Sequence, residues 1–361
     1  MILALLLLAQ AAPEISAIVD ASAGWQRRAP QFPSTDDPDL HGDDRHALGF
    51  TAQQIEIAAN AVAGSYFRGE VVLTIPNLGA IGVEEAFAAT TSLPWGLQLK
   101  AGAFRSAFGR QNGQHLHEQD FTRRPLINAA FLGPGGLRGP GLQIGWVFSR
   151  IALHAEAFSL SESAAVPVRS FGSGGPRRPT LAAEAKLSLP VGEAGLSFAE
   201  GESPGMSIGP GSSVGAGRQV RLIGADLLLK WIPAGLALQA EAIVRHFAEG
   251  DGLGDAWDGG AYAQVTAQFA RRWLLGLRGE LAGLPSSPVT ARTARVSLSV
   301  TFAAGELARV RAHADLEKGN ISFRDESIPA GVLLPAVQPS WAPAAMLQLE
   351  VGLGVNSSHP F

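Results

Sequence analysis

The sequence predicts an all-β protein: a transmembrane antiparallel β-barrel of about 16 strands, with its third long loop folded inward. Three observations predict it. Apolar and polar residues alternate with period two along most of the 361 residues, many of the alternating stretches run 9–12 residues, and short turns alternate with long Gly/Pro-rich connections. Composition removes the competing classes. Apolar residues make up 46% of the chain, yet none of its apolar runs approaches the roughly 18 residues a spanning helix needs. Charged residues are only 17%, against about 25% in an ordinary soluble domain. The lack of Cys excludes a disulfide scaffold, a thiolate metal site and a Cys nucleophile. A net charge of -4 argues against a general nucleic-acid binder.

The chain divides into a signal peptide over 1–11 and a barrel over 12–361. Residues 2–9 form an apolar stretch of signal-peptide length that closes on the small-x-small triplet Ala9-Gln10-Ala11. A basic leading segment is missing, and a short N-terminal core helix is the competing reading. Acceptance of the signal implies export.

Strands are expected near 14–25, 46–60, 66–75, 82–92, 96–105, 139–148, 151–160, 180–190, 194–200, 218–231, 235–248, 260–270, 272–281, 293–303, 305–317 and 344–355. In the tenth, Ile223, Ala225, Leu227, Leu229 and Trp231 share one side, with Gly224, Asp226 and Lys230 on the other. In the fifteenth, Ala308, Val310, Ala312, Ala314 and Leu316 alternate with Arg309, Arg311, His313, Asp315 and Glu317. A helix would scatter those charges around its surface, whereas a strand places them all on one face. A tilted strand needs about 9–11 residues to cross a bilayer, more than the 5–6 typical of globular strands.

Short turns fall at 61–64, 93–95, 149–150, 191–193, 233–234, 271 and 304, and long polar segments at 26–45, 106–138, 161–179, 201–217, 249–259, 282–292 and 318–343. This is the two-rim pattern of bacterial outer-membrane barrels. The C-terminal Phe361 agrees with insertion by the barrel-assembly machinery. In hydrocarbon every backbone N–H and C=O needs a partner, which a closed barrel supplies without a free edge. A secreted β-sandwich would alternate in the same way, burying its apolar face in a core. Outward Trp25, Trp146, Trp231 and Trp273 lie near strand ends, where interfacial belts hold indoles.

Within 64–148, the segments Tyr66-Phe67-Arg68-Gly69-Glu70, Gly82-Val83-Glu84-Glu85-Ala86-Phe87 and 97–110, running from Leu97 to Arg110, resemble the N-terminal hairpins of phosphate-selective porin O/P-type barrels. They are also similar to porin-like outer-membrane proteins of delta-proteobacterial type, some described as zinc-regulated receptors. The opening Pro13-Glu14-Ile15-Ser16-Ala17 is similar to their first strand, and the loop segments Gln114-His115-Leu116-His117 and Arg124-Pro125-Leu126-Ile127-Asn128 continue the likeness. The resemblance covers about the first 150 residues and implies a sixteen-stranded passive porin; it does not fix the solute.

Segment 106–138 is the third connection on the long-loop rim by strand count, the one that sixteen-stranded porins commonly fold inward. With the flanking strand end it gathers Arg105, Arg110, Arg123, Arg124 and Arg138 against Glu118 and Asp120, a local balance of +3, with Lys100 on the preceding strand. Rings of Arg or Lys select anions in pores, so these six basic residues form the candidate constriction. The alternative is that the arginines pair with lumenal carboxylates such as Glu70, Glu156, Glu184 and Glu241 and brace the loop. Alternation turns Arg245, Arg295, Arg309, Arg311, Glu241 and Asp315 into the lumen, where opposed charges favour a water-filled channel. His115 and His117, an i, i+2 pair near Glu118 and Asp120, are the candidate metal ligands if the segment is strand-like.

The expected function is passive diffusion of small hydrophilic solutes, with a preference for anions. The alternatives are a non-energised receptor for a metal or nutrient complex, and a structural or adhesive barrel. An energised receptor needs a plug domain and about 22 strands, and a first strand at Glu14 leaves it no room. Enzymatic activity is not expected, since outward His246 has no Ser-centred motif beside it, and the glycines between Gly205 and Gly217 lack the strand–turn–helix setting of a nucleotide site. The barrel implies outer-membrane lipid and lipopolysaccharide, small solutes or anions, the barrel-assembly machinery and a homotrimer as partners, with no cofactor and no nucleic acid.

Overall fold

A computed structural model of the chain describes residues 13–26, 49–133, 135–160, 170–172, 178–203, 206–209, 212–214, 217–248, 255–285, 292–305, 307–319 and 341–354. The expected signal segment 1–11, much of the long connections other than 106–138, and Phe361 lie outside them.

The strands are β1 (Glu14–Gln26), β2 (Gly49–Ala63), β3 (Phe67–Pro76), β4 (Gly82–Thr90), β5 (Leu97–Arg105), β6 (Arg138–Phe148), β7 (Ile151–Phe158), β8 (Thr180–Leu189), β9 (Gly192–Glu202), β10 (Met206–Gly209), β11 (Ser212–Val214), β12 (Gln219–Trp231), β13 (Leu236–Phe247), β14 (Ala256–Ala270), β15 (Trp273–Leu284), β16 (Thr293–Ala303), β17 (Ala308–Gly319) and β18 (Ala342–Gly354). Sixteen of them close an antiparallel barrel in chain order, as the alternation predicts. The exceptions are β10 and β11, which form a separate hairpin within the expected loop 201–217, so that β9 pairs directly with β12. Closure runs through β1 and β18, in register from Ser16↔Gly354 to Gln26↔Ala344. No strand of the barrel is left as an edge, the condition for placing a sheet in lipid.

The two faces follow the period-two pattern. Along β17, Arg309, Arg311, His313 and Asp315 point inward and are buried, while Ala312, Ala314 and Leu316 are exposed outside. Outward Leu277, Leu298 and Leu347 are 56%, 45% and 52% exposed. An apolar band of that extent is untenable in water and is what hydrocarbon requires. The Trp residues sit near the strand ends at both rims. Trp95, Trp146, Trp231 and Trp273 occupy the short-turn rim, and Trp25, Trp257 and Trp341 the long-loop rim, which accounts for all seven Trp.

One β-bulge matters for the interior. Between β3 and β4 the register passes from Val72↔Glu85 to Leu73↔Val83, leaving Glu84 as the extra residue. A bulge re-aims a side chain. Here it turns the adjacent Glu84 and Glu85 both inward, and both are buried.

Candidate channel constriction

Segment 106–138 leaves the end of β5 and folds into the lumen. It carries a short helix, α1 (Leu126–Leu132), between Pro125 and Gly133. Pro125, at φ -56 and ψ 144, sets the extended approach, and Gly133, at φ +85, ends the helix in a conformation that favours glycine. The α1 residues Leu126, Ile127, Ala130, Phe131 and Leu132 are buried with Phe104, Phe108, Phe158, Val220, Leu222, Ile243 and Phe247 in one apolar cluster. The inward face is therefore not polar throughout: its apolar patch on β7, β12 and β13 receives the helix. Each such side chain buried contributes about 1.5–3 kcal/mol.

Three wall glycines admit loop side chains. A Cβ at Gly224, Gly260 or Gly276 would lie 3.0, 2.6 and 2.9 Å from atoms of Phe108, Ile127 and Phe121 respectively. A side chain at Gly224 or Gly276 would meet the loop first, and one at Gly260 would meet both Ile127 and, closer still, the Leu281 main-chain oxygen of the wall.

The loop backbone is hydrogen-bonded to the wall. Carboxylates accept N–H groups at the end of β5 and along the loop: Glu85 from Arg105 at 2.7 Å, Glu156 from Ala107 at 3.0 Å, Glu241 from Gln111 at 3.3 Å and Glu280 from Leu126 at 2.6 Å. Guanidinium groups donate to its carbonyls, Arg278 to Arg123 O at 2.7 Å and Arg295 to Arg124 O. His313 accepts the Thr122 N–H at Nδ1 (3.2 Å) and approaches Asp315 at 2.6 Å through Nε2, which places its proton on Nε2. A buried loop must satisfy its polar groups, and this one does so on β4, β7, β13, β15, β16 and β17.

The six candidate constriction residues do not form one ring. Arg105, ion-paired with Glu84, and Arg124 both come against Gly136, while Arg138 donates to the Glu84 main-chain oxygen at 3.3 Å. Lys100 sits over the Phe87 and Phe104 rings, 4.6 and 5.1 Å from their centres. Arg110 reaches Glu193 on β9 at 2.8 Å, and Arg123 reaches Asp315 on β17 at 3.1 Å. The expected carboxylates Glu156 and Glu241 serve loop main-chain N–H groups instead.

The lumenal set lies on the inner side of the wall, where all six side chains are buried in contacts rather than lining open water. Arg245 is bidentate to Asp258 (2.9 and 2.7 Å) and stacks on Phe131 and Phe247. Arg295 contacts Glu280, Arg309 pairs with Glu350, and Arg311 donates to Gln348 at 2.9 Å. Glu241 also accepts the Tyr262 hydroxyl at 3.2 Å, and Asp315 accepts Ser297 at 2.5 Å. Asp120, within the loop, has its carboxyl raised above the usual range by burial, against the opposing pull of Arg311, Arg309 and Arg278.

His115 and His117 are buried, with rings 5.7 Å apart and nearly parallel. They do not lie on the strand-like segment expected. His115 caps a 3-10 turn, Leu116–Glu118, and His117 lies within it; Glu118 accepts the His115 N–H at 2.7 Å, and both imidazoles approach Glu56. Around them are Glu56 of β2 and Glu84 and Glu85 of β4. Burial opposes a charge on His115, but Glu56 and Glu84 overcome it and hold the imidazole well above its usual range. Sequence reasoning missed these three carboxylates as site residues. Two adjacent acids inside an alternating strand were the available signal, because one of them must face lipid unless the strand bulges.

No protein-family model matches the sequence. An uncharacterized protein of Aquifex aeolicus (strain VF5) is 30% identical over 310 residues, a match covering 74% of this chain and 64% of that protein. The chain thus spans less than two thirds of that relative's length. Among solved structures, the outer membrane channel DcaP of Acinetobacter baumannii superposes with a TM-score of 0.64 at 10% identity, covering 95% of this chain and 97% of DcaP. The anion-selective porin from Comamonas acidovorans gives 0.62 at 11% identity, with 95% and 99% covered. The chain therefore shares the fold of bacterial outer-membrane porins.

Proposed function

We propose that the protein is an outer-membrane porin that passes small hydrophilic solutes by passive diffusion, with segment 106–138 setting the width of the channel. One observation carries this reading: a membrane-type barrel of sixteen strands holds a loop within its lumen by its main chain, on strands from opposite sides of the wall. A binding receptor would need a ligand cavity above the loop; a channel needs only the space the loop leaves. That space is charged. Arg110, Lys186 and Glu193 have side chains 17%, 25% and 41% exposed beside the loop. Planar-bilayer recording of the refolded protein tests the reading, and a barrel that never conducts contradicts it.

Anion preference is the finer part of the proposal. Its support is exposure: Arg110 and Lys186 are 17% and 25% exposed while paired with Glu193 and Glu184 at 2.8 Å, whereas Arg105 and Arg123 are 4% and 11% exposed in their pairs with Glu84 and Asp315. A reversal potential of cationic sign would contradict it. The same reading implies outer-membrane lipid and lipopolysaccharide around the barrel, insertion by the barrel-assembly machinery and association as a homotrimer, which native mass spectrometry in detergent tests. It assigns the protein no catalytic step.

A further inference from the structure

We propose that Glu56, Glu84, His115 and His117 bind a divalent metal ion of the zinc type, joining the inward loop to strands β2 and β4. The argument begins with spacing. His115 Nδ1 lies 3.5 Å from Glu84 Oε1 and 3.8 Å from Glu56 Oε2, and His117 Nδ1 lies 3.4 Å from the same Glu56 oxygen. Suitable donor atoms of Glu56, Glu84 and His115 all lie within 4.8 Å of one another. These gaps are too long for good N–H···O hydrogen bonds, which run about 2.7–3.2 Å. The two shorter gaps are close to the edge of a tetrahedron around zinc, where ligands bound at about 2.0–2.1 Å stand about 3.4 Å apart, and the His115–Glu56 gap is longer. Two imidazoles and two carboxylates form a donor set suited to zinc rather than to calcium or magnesium.

Three independent features agree. First, His115 Nε2 lies 3.1 Å from Glu85 Oε2. A carboxylate only accepts, so Nε2 carries a proton, and Nδ1, facing Glu56 and Glu84, is the nitrogen that would bind a metal on losing its own. That is the carboxylate–histidine arrangement that orients metal-bound imidazoles. Second, Glu84 is turned inward by the bulge in β4 and held there by Arg105. Its other oxygen, Oε2, rather than the Oε1 that meets Arg105 and His115, is buried without a hydrogen-bond partner among the described residues, a rare state for a carboxylate oxygen. Third, the 3-10 turn stacks the His117 ring on that of His115; His117 lies outside the mutually close set but its Nδ1 reaches the same Glu56 oxygen at 3.4 Å, so a side-chain rotation would complete the site.

The competing occupant of the same space is a proton on His115, held by the same carboxylates. The full-length protein, refolded in detergent and stripped with chelator, distinguishes the two by titration with Zn2+ alone. We expect one Zn2+ per chain, bound at least about tenfold more weakly in Glu56→Gln and in His117→Gln, with heat-modifiable gel mobility checking that each variant still forms its barrel. Co2+ bound to the unmodified chain provides a readout that needs no variant: the intense visible bands of a tetrahedral ion. Failure to retain Zn2+ overturns the proposal, as does retention unchanged in both variants, which would place the ion on other histidines such as His41 or His359, or the weak bands of six-coordinate Co2+. None of these results depends on whether the barrel conducts.

Discussion

The carboxylate of Glu280 accepts the main-chain N–H of Leu126 at 2.6 Å, so a wall residue of β15 caps the first turn of α1 inside the lumen. The same carboxylate receives Arg278 and Arg295 at 2.8 Å each. Glu280 thus connects the wall's charge network to the loop's fold. Replacing it leaves two buried guanidinium groups without their shared partner and a helix N–H without its cap. Breaking a buried pair costs about 3–5 kcal/mol. Glu280→Ala is expected to lower thermal stability and to raise hydrogen exchange across 126–132 well above that of the barrel strands. Unchanged protection of that segment would show that the cap does not hold it.

The glycine at 276 makes a separate prediction. A Cβ there would lie 2.9 Å from Phe121 Cζ, and the nearest atoms all belong to that ring. Gly276→Val is expected to destabilise by about 1–3 kcal/mol, as overpacking does, and Phe121→Ala should recover part of the loss when combined with it. Strict additivity of the two changes in thermal unfolding would separate Phe121 from the wall.

Substitution distinguishes a part-exposed arginine pair from a buried one. Arg110→Glu is expected to move the reversal potential toward cations, since its side chain reaches water beside Glu193. Arg123→Gln, which removes an ion pair with Asp315, is expected to lower stability while leaving selectivity nearly unchanged. Bilayer recordings of both proteins under one salt gradient test the contrast.

Much of the barrel is legible in the sequence because its code is local. The alternation in 308–317 requires no partner strand to be read, and each of the sixteen expected strands corresponds to one that closes the wall. The inward loop follows from its place in the count and its arginines. What the loop touches does not. Leu126 meets Glu280 across 154 positions, Thr122 meets His313 across 191, and period two says nothing about which lumenal residues a loop will reach. The apolar run in 126–132 stood inside a segment read for its charge, and its cluster with Val220, Leu222 and Phe247 depends on an inward face that departs locally from polarity. The hairpin β10–β11 is too short for alternation to separate from loop. At Glu84 the local code misleads, because the bulge reverses the face that alternation assigns.

The channel account is tested most directly by single-channel conductance of the full chain beside a variant in which residues 110–132 are replaced by a short Gly/Ser link. The account predicts discrete, stable steps from the full chain and steps several-fold larger from the variant, with both proteins still heat-modifiable barrels. Equal conductance would show that the loop does not set the channel's width, and silence from both would show that the barrel is not a channel.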